Sequence, residues 1–177
     1  MVTIELLSPE NFPVGALDAY ERKQQVQRVY RKTGTGYALM EQPYTEDWTS
    51  EQKRGVEGVL RGKRHLTYLA LDNGRVVGFI SMRRIPVNGF LIVDQMQVSA
   101  PYRGQGIGRR LFEMGIAEAK KAGVQGLYIS ACSSEETIAF YRAMGAELAD
   151  MPIREMAEAE PFDLQITCRI GETAFPR

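Results

Sequence analysis

The 177-residue sequence holds one histidine and only two cysteines, which removes most of the donor set that metal chemistry needs. Cys132 and Cys168 stand on separate apolar segments without a CxxC pair, and His65 has no ligand-like companion. No metal site is expected, and both cysteines read as small buried hydrophobes. An excess of one charge is missing too: 22 basic residues balance 22 acidic ones, so the field of a nonspecific nucleic-acid or membrane-surface binder is absent. Nor is there a long apolar run. Met1 to Leu7 merely alternates, with no basic region ahead of an apolar stretch, so neither a signal peptide nor a membrane span is expected and the cytoplasm is the expected compartment.

What remains is ordinary globular material, 44% hydrophobic and 25% charged with 17 glycines and 8 prolines, enough for one domain over residues 1–177. Val2, Ile4 and Leu6 alternate as a first strand. Pro13, after Asn11, reads as a first helical turn, opening a helix with apolar positions Val14, Leu17, Val26, Val29 and Tyr30 that ends at Gly34 and Gly36. Thr49 and Gln52 form a capping-box pattern ahead of Val56, Val59 and Leu60, a second helix stopped by Gly62. Leu66–Leu71, the turn Asp72-Asn73-Gly74 and Arg75–Met82 spell a β-hairpin, because Asn-Gly supplies positive φ. Gly89–Val98 is a further strand whose polar positions Asp94, Gln95 and Gln97 need partners or a task.

After that strand comes Arg103-Gly104-Gln105-Gly106-Ile107-Gly108, followed by Leu111, Met114, Gly115 and Ala119 on one helical face, closed by Lys120, Lys121 and Gly123. Leu127–Ala131 is a short strand, Glu135–Met144 a helix ended by Gly145, and Phe162–Ile170 a last strand. Backbone N–H groups of a glycine turn at a helix start can converge on an anion, with Arg103 and Arg109 adding charge. The alternative is a flexible turn with solvated arginines. A Walker A loop is excluded because no Gly-Lys-Ser/Thr follows, and the dinucleotide pattern GxGxxG fails at Arg109.

The segment does fit Arg-x-x-Gly-x-Gly, at Arg103, Gly106 and Gly108, directly after Met96-Gln97-Val98. Ser133 to Tyr141, followed by Met144-Gly145-Ala146, is similar to a helix written Asn-x-x-Ala-x-x-x-Tyr, with Ser134 for the Asn and Thr137 for the Ala. On these residues the last two-thirds of the chain resembles the GNAT family of N-acetyltransferases. The resemblance implies an α/β fold with a mixed, mostly antiparallel central sheet flanked by helices, and a splayed parallel strand pair forming a cleft for acetyl-coenzyme A. It further implies that Met96, Gln97 and Val98 contact the pantetheine arm and acetyl group. Arg103, Gly104, Gln105, Gly106, Ile107, Gly108 and Arg109 would hold the pyrophosphate, Ser134 would touch the arm, and Tyr141 would be the general acid. A homodimer is plausible on the same ground.

Amide formation from a thioester needs a neutral amine, a donor for the oxyanion and a proton for the thiolate. Alternation puts Asp94 on the face of Met96 and Val98, where it is a candidate base; the alternative is an ion pair with Arg83 or Arg84. Tyr141 is either the acid or a packed aromatic. Tyr37–Trp48, with Tyr37, Tyr44, Trp48, Glu41, Glu46 and Asp47, reads as a host for a cationic amine or as a solvated loop. Arg154–Glu160 reads as a border of the same site or a solvated helix end. The acceptor is expected to be a small-molecule or peptide amine. Two rivals are a noncatalytic acyl-coenzyme A sensor and a nucleotide-binding α/β protein.

Overall fold

The computed structural model describes residues 1–171. Local chemistry fixes several elements. In the capping box, Thr49 Oγ1 accepts from the Gln52 amide at 3.2 Å and Gln52 Oε1 accepts from the Thr49 amide at 2.8 Å, opening α1 (Ser50–Arg61). Asn73 and Gly74, with φ of 50° and 76°, turn the chain from β4 (His65–Asp72) into β5 (Arg75–Arg83), the left-handed pair that matches the twist of a two-residue hairpin.

The helix expected from Pro13 to the glycines at 34 and 36 does not form. Residues 8–23 are turns and bends, and they satisfy their backbone on α1 instead: the carboxylate of Glu57 accepts from the amides of Gly15 (3.3 Å) and Leu17 (3.0 Å), while Arg61 donates to the carbonyl of Pro13 at 2.6 Å. Residues after them make a long antiparallel hairpin, β2 (Gln24–Thr33) with β3 (Gly36–Glu46), so most of the stretch read as a surface loop to Trp48 is strand. A register shift between Val26↔Tyr44 and Arg28↔Glu41 inserts a residue into β3 opposite β2. Beside this irregularity Val26 and Val29, three apart, are both buried, a spacing that imitates one helical face.

Among the described residues the main sheet has seven strands in the order β1 (Val2–Leu6), β4, β5, β6 (Phe90–Val98), β7 (Gly126–Ala131), β9 (Leu164–Arg169), β8 (Glu147–Leu148). Only β6 and β7 run parallel; every other pair in it is antiparallel. One face packs on α2 (Ile107–Ala122) and α3 (Glu135–Ala143), through Ile80, Met82, Leu91, Val93, Leu111 and Ile138. The other face packs on α1 through Leu60, Leu69 and Phe79, and on the segment leading into α4 (Arg154–Ala159) through Ile92, Tyr128 and Ile153. No helix among the described residues is long and apolar enough to cross a membrane.

Candidate active site

A cleft opens where the sheet comes apart. β6 and β7 pair only from Phe90↔Gly126 to Val93↔Ile129. Beyond that point β6 continues to Val98 held by β5 alone, with Ile80↔Met96 and Gly78↔Val98 in register. The open edge of β6 and the end of β7 line a cavity of about 770 Å³ that reaches the glycine turn, a volume suited to an extended ligand.

At one end of this cleft lies the start of α2. Gly104 and Gly106 have φ of 75° and 78°, left-handed values that glycine adopts without Cβ strain. Among the described residues no side chain caps α2, and no acidic residue lies in its first turn; the first amide bonded along the helix is that of Arg110, to Gly106 O at 3.1 Å. The N–H groups of Ile107, Gly108 and Arg109 are therefore left for an external acceptor at the positive helix end. Gly108 is small for a different reason, since a Cβ there would stand 3.1 Å from the Phe140 ring.

The two arginines of the turn divide the work. Arg103 is committed to backbone: Nε donates to Val98 O (2.9 Å), and its two terminal nitrogens donate to Lys23 O (2.8 Å) and Arg22 O (2.9 Å). It fastens the turn to β6 and to the entry of β2, and contributes charge rather than free donors. Arg109 is exposed and makes no hydrogen bond or ion pair among the described residues. Gln105 donates to Pro101 O at 3.2 Å.

Three sequence expectations meet different geometry. Asp94 is not on the face of Met96 and Val98. A bulge between Ser81↔Gln95 and Met82↔Val93 leaves Asp94 as the extra residue and turns it to the α1 face with Gln95 and Gln97. There Arg83 donates to it twice, at 2.8 and 2.9 Å, and His65 Nε2 lies 2.8 Å away. The ion pair is the arrangement observed. Ser134 is fully buried as the N-cap of α3: it accepts from the Thr137 amide (3.3 Å) and from Gln24 Nε2 (3.2 Å) and donates to Thr137 Oγ1 (2.8 Å). Thr137, not Ser134, lines the cleft. Arg154–Glu160 is a short helix closed by the Arg154–Glu158 pair at 2.7 Å, and it is not part of the cleft wall.

Tyr141 lines the cleft from α3, packed against Phe140 and Phe112 at 5.2 and 6.1 Å between ring centroids. Its hydroxyl makes no hydrogen bond among the described residues. Burial foremost, then the neighbouring Cys132 and Asp163, pushes its pKa well above the ordinary phenol value. The sequence reading missed Ser130, Cys132 and Asp163, which also line the cleft. A signal for the first two was present, since ligands collect at the carboxyl ends of adjacent parallel strands.

The sequence profile of the acetyltransferase (GNAT) family matches residues 23–146, more than half of the chain. The chain belongs to the GNAT family. Streptothricin acetyltransferase of Streptomyces lavendulae is 29% identical over 122 residues, 64% of each chain, so the match spans just under two thirds of that relative's length. Among solved structures, a nourseothricin acetyltransferase superposes with a TM-score of 0.71 at 21% identity, covering 95% of this chain and 98% of that one. A Bacillus anthracis str. Ames protein described as a streptothricin acetyltransferase, solved with acetyl coenzyme A, gives 0.70 at 16% identity over 94% and 96%. At these identities the likeness is one of fold, and the mixed sheet with one parallel pair is the GNAT sheet.

Proposed function

We propose that this GNAT protein transfers an acetyl group from acetyl-coenzyme A to a primary amine by direct attack within a ternary complex. The observation that carries the reading is the continuity of the cleft: an uncapped helix start, an unpaired strand edge and an unbonded tyrosine hydroxyl share one cavity. Amides of Ile107, Gly108 and Arg109, with the Arg109 guanidinium, would hold the diphosphate. Main-chain groups of Met96, Gln97 and Val98 would pair with the pantetheine amides as a further strand does, and an N–H near Gln97 or Val98 would face the developing oxyanion, where a preorganised donor is worth about 3 kcal/mol. Support comes from the structural neighbour that binds acetyl coenzyme A.

Tyr141 would protonate the departing thiolate. Ordinary phenol and thiol values differ by about 1.5 pH units, roughly 2 kcal/mol. Burial raises Tyr141 further, but a thiolate formed in the same pocket is desolvated as well, so the gap stays modest. The names of the relatives put streptothricin in the acceptor panel beside polyamines, lysine derivatives and peptides.

Calorimetry with coenzyme A and a thiol-release assay across those amines test the reading together. Tyr141→Phe is expected to lower kcat by about 100-fold while coenzyme A affinity holds. Absence of coenzyme A binding by folded protein sinks the proposal; binding without thiol release favours the sensor; unchanged kcat in Tyr141→Phe removes the acid assignment alone.

A further inference from the structure

Asp163, the residue before β9, is a carboxylate of the cleft wall that the proposed chemistry has not used and that carries no ion pair among the described residues; Glu136, which shares both properties, is exposed on α3. It also stands at the end of a directed hydrogen-bond chain. The Ile153 N–H can only donate, and it donates to the Tyr128 hydroxyl at 2.9 Å. Tyr128 must therefore pass its own proton outward, to Gln165 Oε1 at 2.6 Å. That fixes the amide so that Gln165 Nε2 donates to Ser130 Oγ at 2.8 Å, and Ser130 in turn donates to Asp163 Oδ2 at 3.2 Å. Tyr128 and Gln165 are buried, so the chain crosses the interior and aims every donor at one carboxylate. Only Oδ2 is engaged; Oδ1 has no hydrogen-bond partner among the described residues.

Position adds to this. Tyr128 packs in the cluster of Ile92 and Ile153, on the face opposite α2, and Ser130 follows it by two residues, so Asp163 lies across the opened sheet from the anion-binding turn. A thioester laid along β6 from the α2 side, its oxygen on a β6 N–H, would leave its carbonyl carbon open to attack from this opposite face. The other carboxylate there, Asp94, is ion-paired with Arg83 and hydrogen-bonded to His65. The guanidinium of Arg31 stacks on neighbouring Phe162 at 4.8 Å but donates to Ser133 Oγ and Gln42 Oε1, not to Asp163.

We propose that Asp163 is the residue that receives the acceptor as an ammonium ion and takes its proton, making the site selective for strongly basic amines. The inference rests on the acetyl-transfer reading above. Oδ1 binds R–NH3+ and accepts one proton, leaving R–NH2. Its lone pair forms the C–N bond as the C–S bond breaks; Tyr141 protonates the thiolate and is reprotonated from the newly acylated nitrogen, and Asp163 releases its proton to solvent. Burial first, then the charge of Glu160, holds the Asp163 carboxyl above its ordinary value, which makes it a stronger base than a solvated aspartate.

Asp163→Asn keeps the shape and the Ser130 contact, so it isolates the charge. Its kcat/KM is measured with an alkylamine, whose conjugate acid has a pKa of about 10.4, and with a peptide α-amine, at about 7.8. A fall of at least about 100-fold for the alkylamine, a clearly smaller fall for the α-amine and unchanged coenzyme A binding are expected. Equal losses for both, or none for either while the wild type turns over, overturn the role of Asp163 and leave acetyl transfer standing. A wild type that binds coenzyme A yet acetylates no amine overturns the parent reading itself. If Asp163→Asn does not fold, Ser130→Ala, which unfastens the carboxylate, is expected to give the same split between amines in weaker form, and equal effects on both overturn the assignment.

Discussion

Replacing Gly106 by alanine separates the cost of a strained backbone from the cost of a blocked anion site. At its φ of 78°, an L-residue is disfavoured by about 1 kcal/mol. A Cβ added there meets no atom within 4 Å, so no clash adds to the strain and the variant should fold. The open space over the turn is nevertheless where the diphosphate must approach the amides of α2, and strain at the cap rotates those amides away from it. Losing one charge-assisted hydrogen bond there amounts to about 1.5–3 kcal/mol, or about 10- to 100-fold in affinity. Gly123 supplies the control: its φ is 67°, its Cβ position is equally open, and it closes the far end of the same 16-residue helix, about 24 Å away at the helical rise. Calorimetric titration with coenzyme A and chemical denaturation are run on both variants. Both should lose similar stability, and only Gly106→Ala should lose affinity. Equal coenzyme A affinity in the two, with both folded, refutes the placement of the diphosphate at this turn.

Two further outcomes follow from the ion pairs of the sheet. Asp94→Asn should lower stability by about 1 kcal/mol, its partners being partly exposed, and leave turnover close to wild type; a 100-fold loss of kcat at unchanged coenzyme A affinity would restore Asp94 as the base. Tyr68 donates to Glu118 at 2.6 Å and Lys121 does so at 2.8 Å. Burial raises the Glu118 carboxyl, but these two bonds outweigh it and hold the pKa below 4.5. Because the folded value is depressed, the stabilisation is complete above the unfolded value and fades as pH falls through the folded one. Tyr68→Phe should therefore cost about 1.5 kcal/mol in urea denaturation at neutral pH and progressively less below 4.5, whereas a deficit that does not shrink in acid refutes the linkage.

Much of the architecture was legible because local chemistry and tertiary fate agreed. The capping box at Thr49, the Asn73-Gly74 turn and the amphipathic α2 each carry their own signal, and each formed. The β2–β3 hairpin did not read correctly because its pattern is irregular: beside a register shift in the pairing the buried residues of β2 are Val26 and Val29, three apart, a spacing that single-sequence periodicity assigns to a helix. Asp163 was invisible for another reason. Nothing in Phe162-Asp163-Leu164 marks the carboxylate as special; its position depends on Ser130 and Gln165, 33 residues before it and two after it, meeting through the β7–β9 pairing.

The bulge in β6 links the opening of the cleft to the choice between carboxylates. With regular pairing, residues 93 to 98 would alternate and Asp94 would fall on the α2 face beside Met96 and Val98, on the side of the turn. The extra residue between Ser81↔Gln95 and Met82↔Val93 reverses that side and bends β6 just where its pairing with β7 ends at Val93↔Ile129; bulged strands bend and twist in this way. The same residue that parts the strands is thus carried to the far face, where Arg83 and His65 hold its carboxylate. The splayed pair leaves the cleft wall beyond Ile129 to Ser130 and Cys132, and Ser130 holds a carboxylate that no cation has claimed among the described residues. Opening the sheet at residue 94 therefore retires one acid and exposes the chain to the service of another, which is why the basicity of the acceptor amine, rather than the loss of Asp94, is the quantity that should discriminate between them.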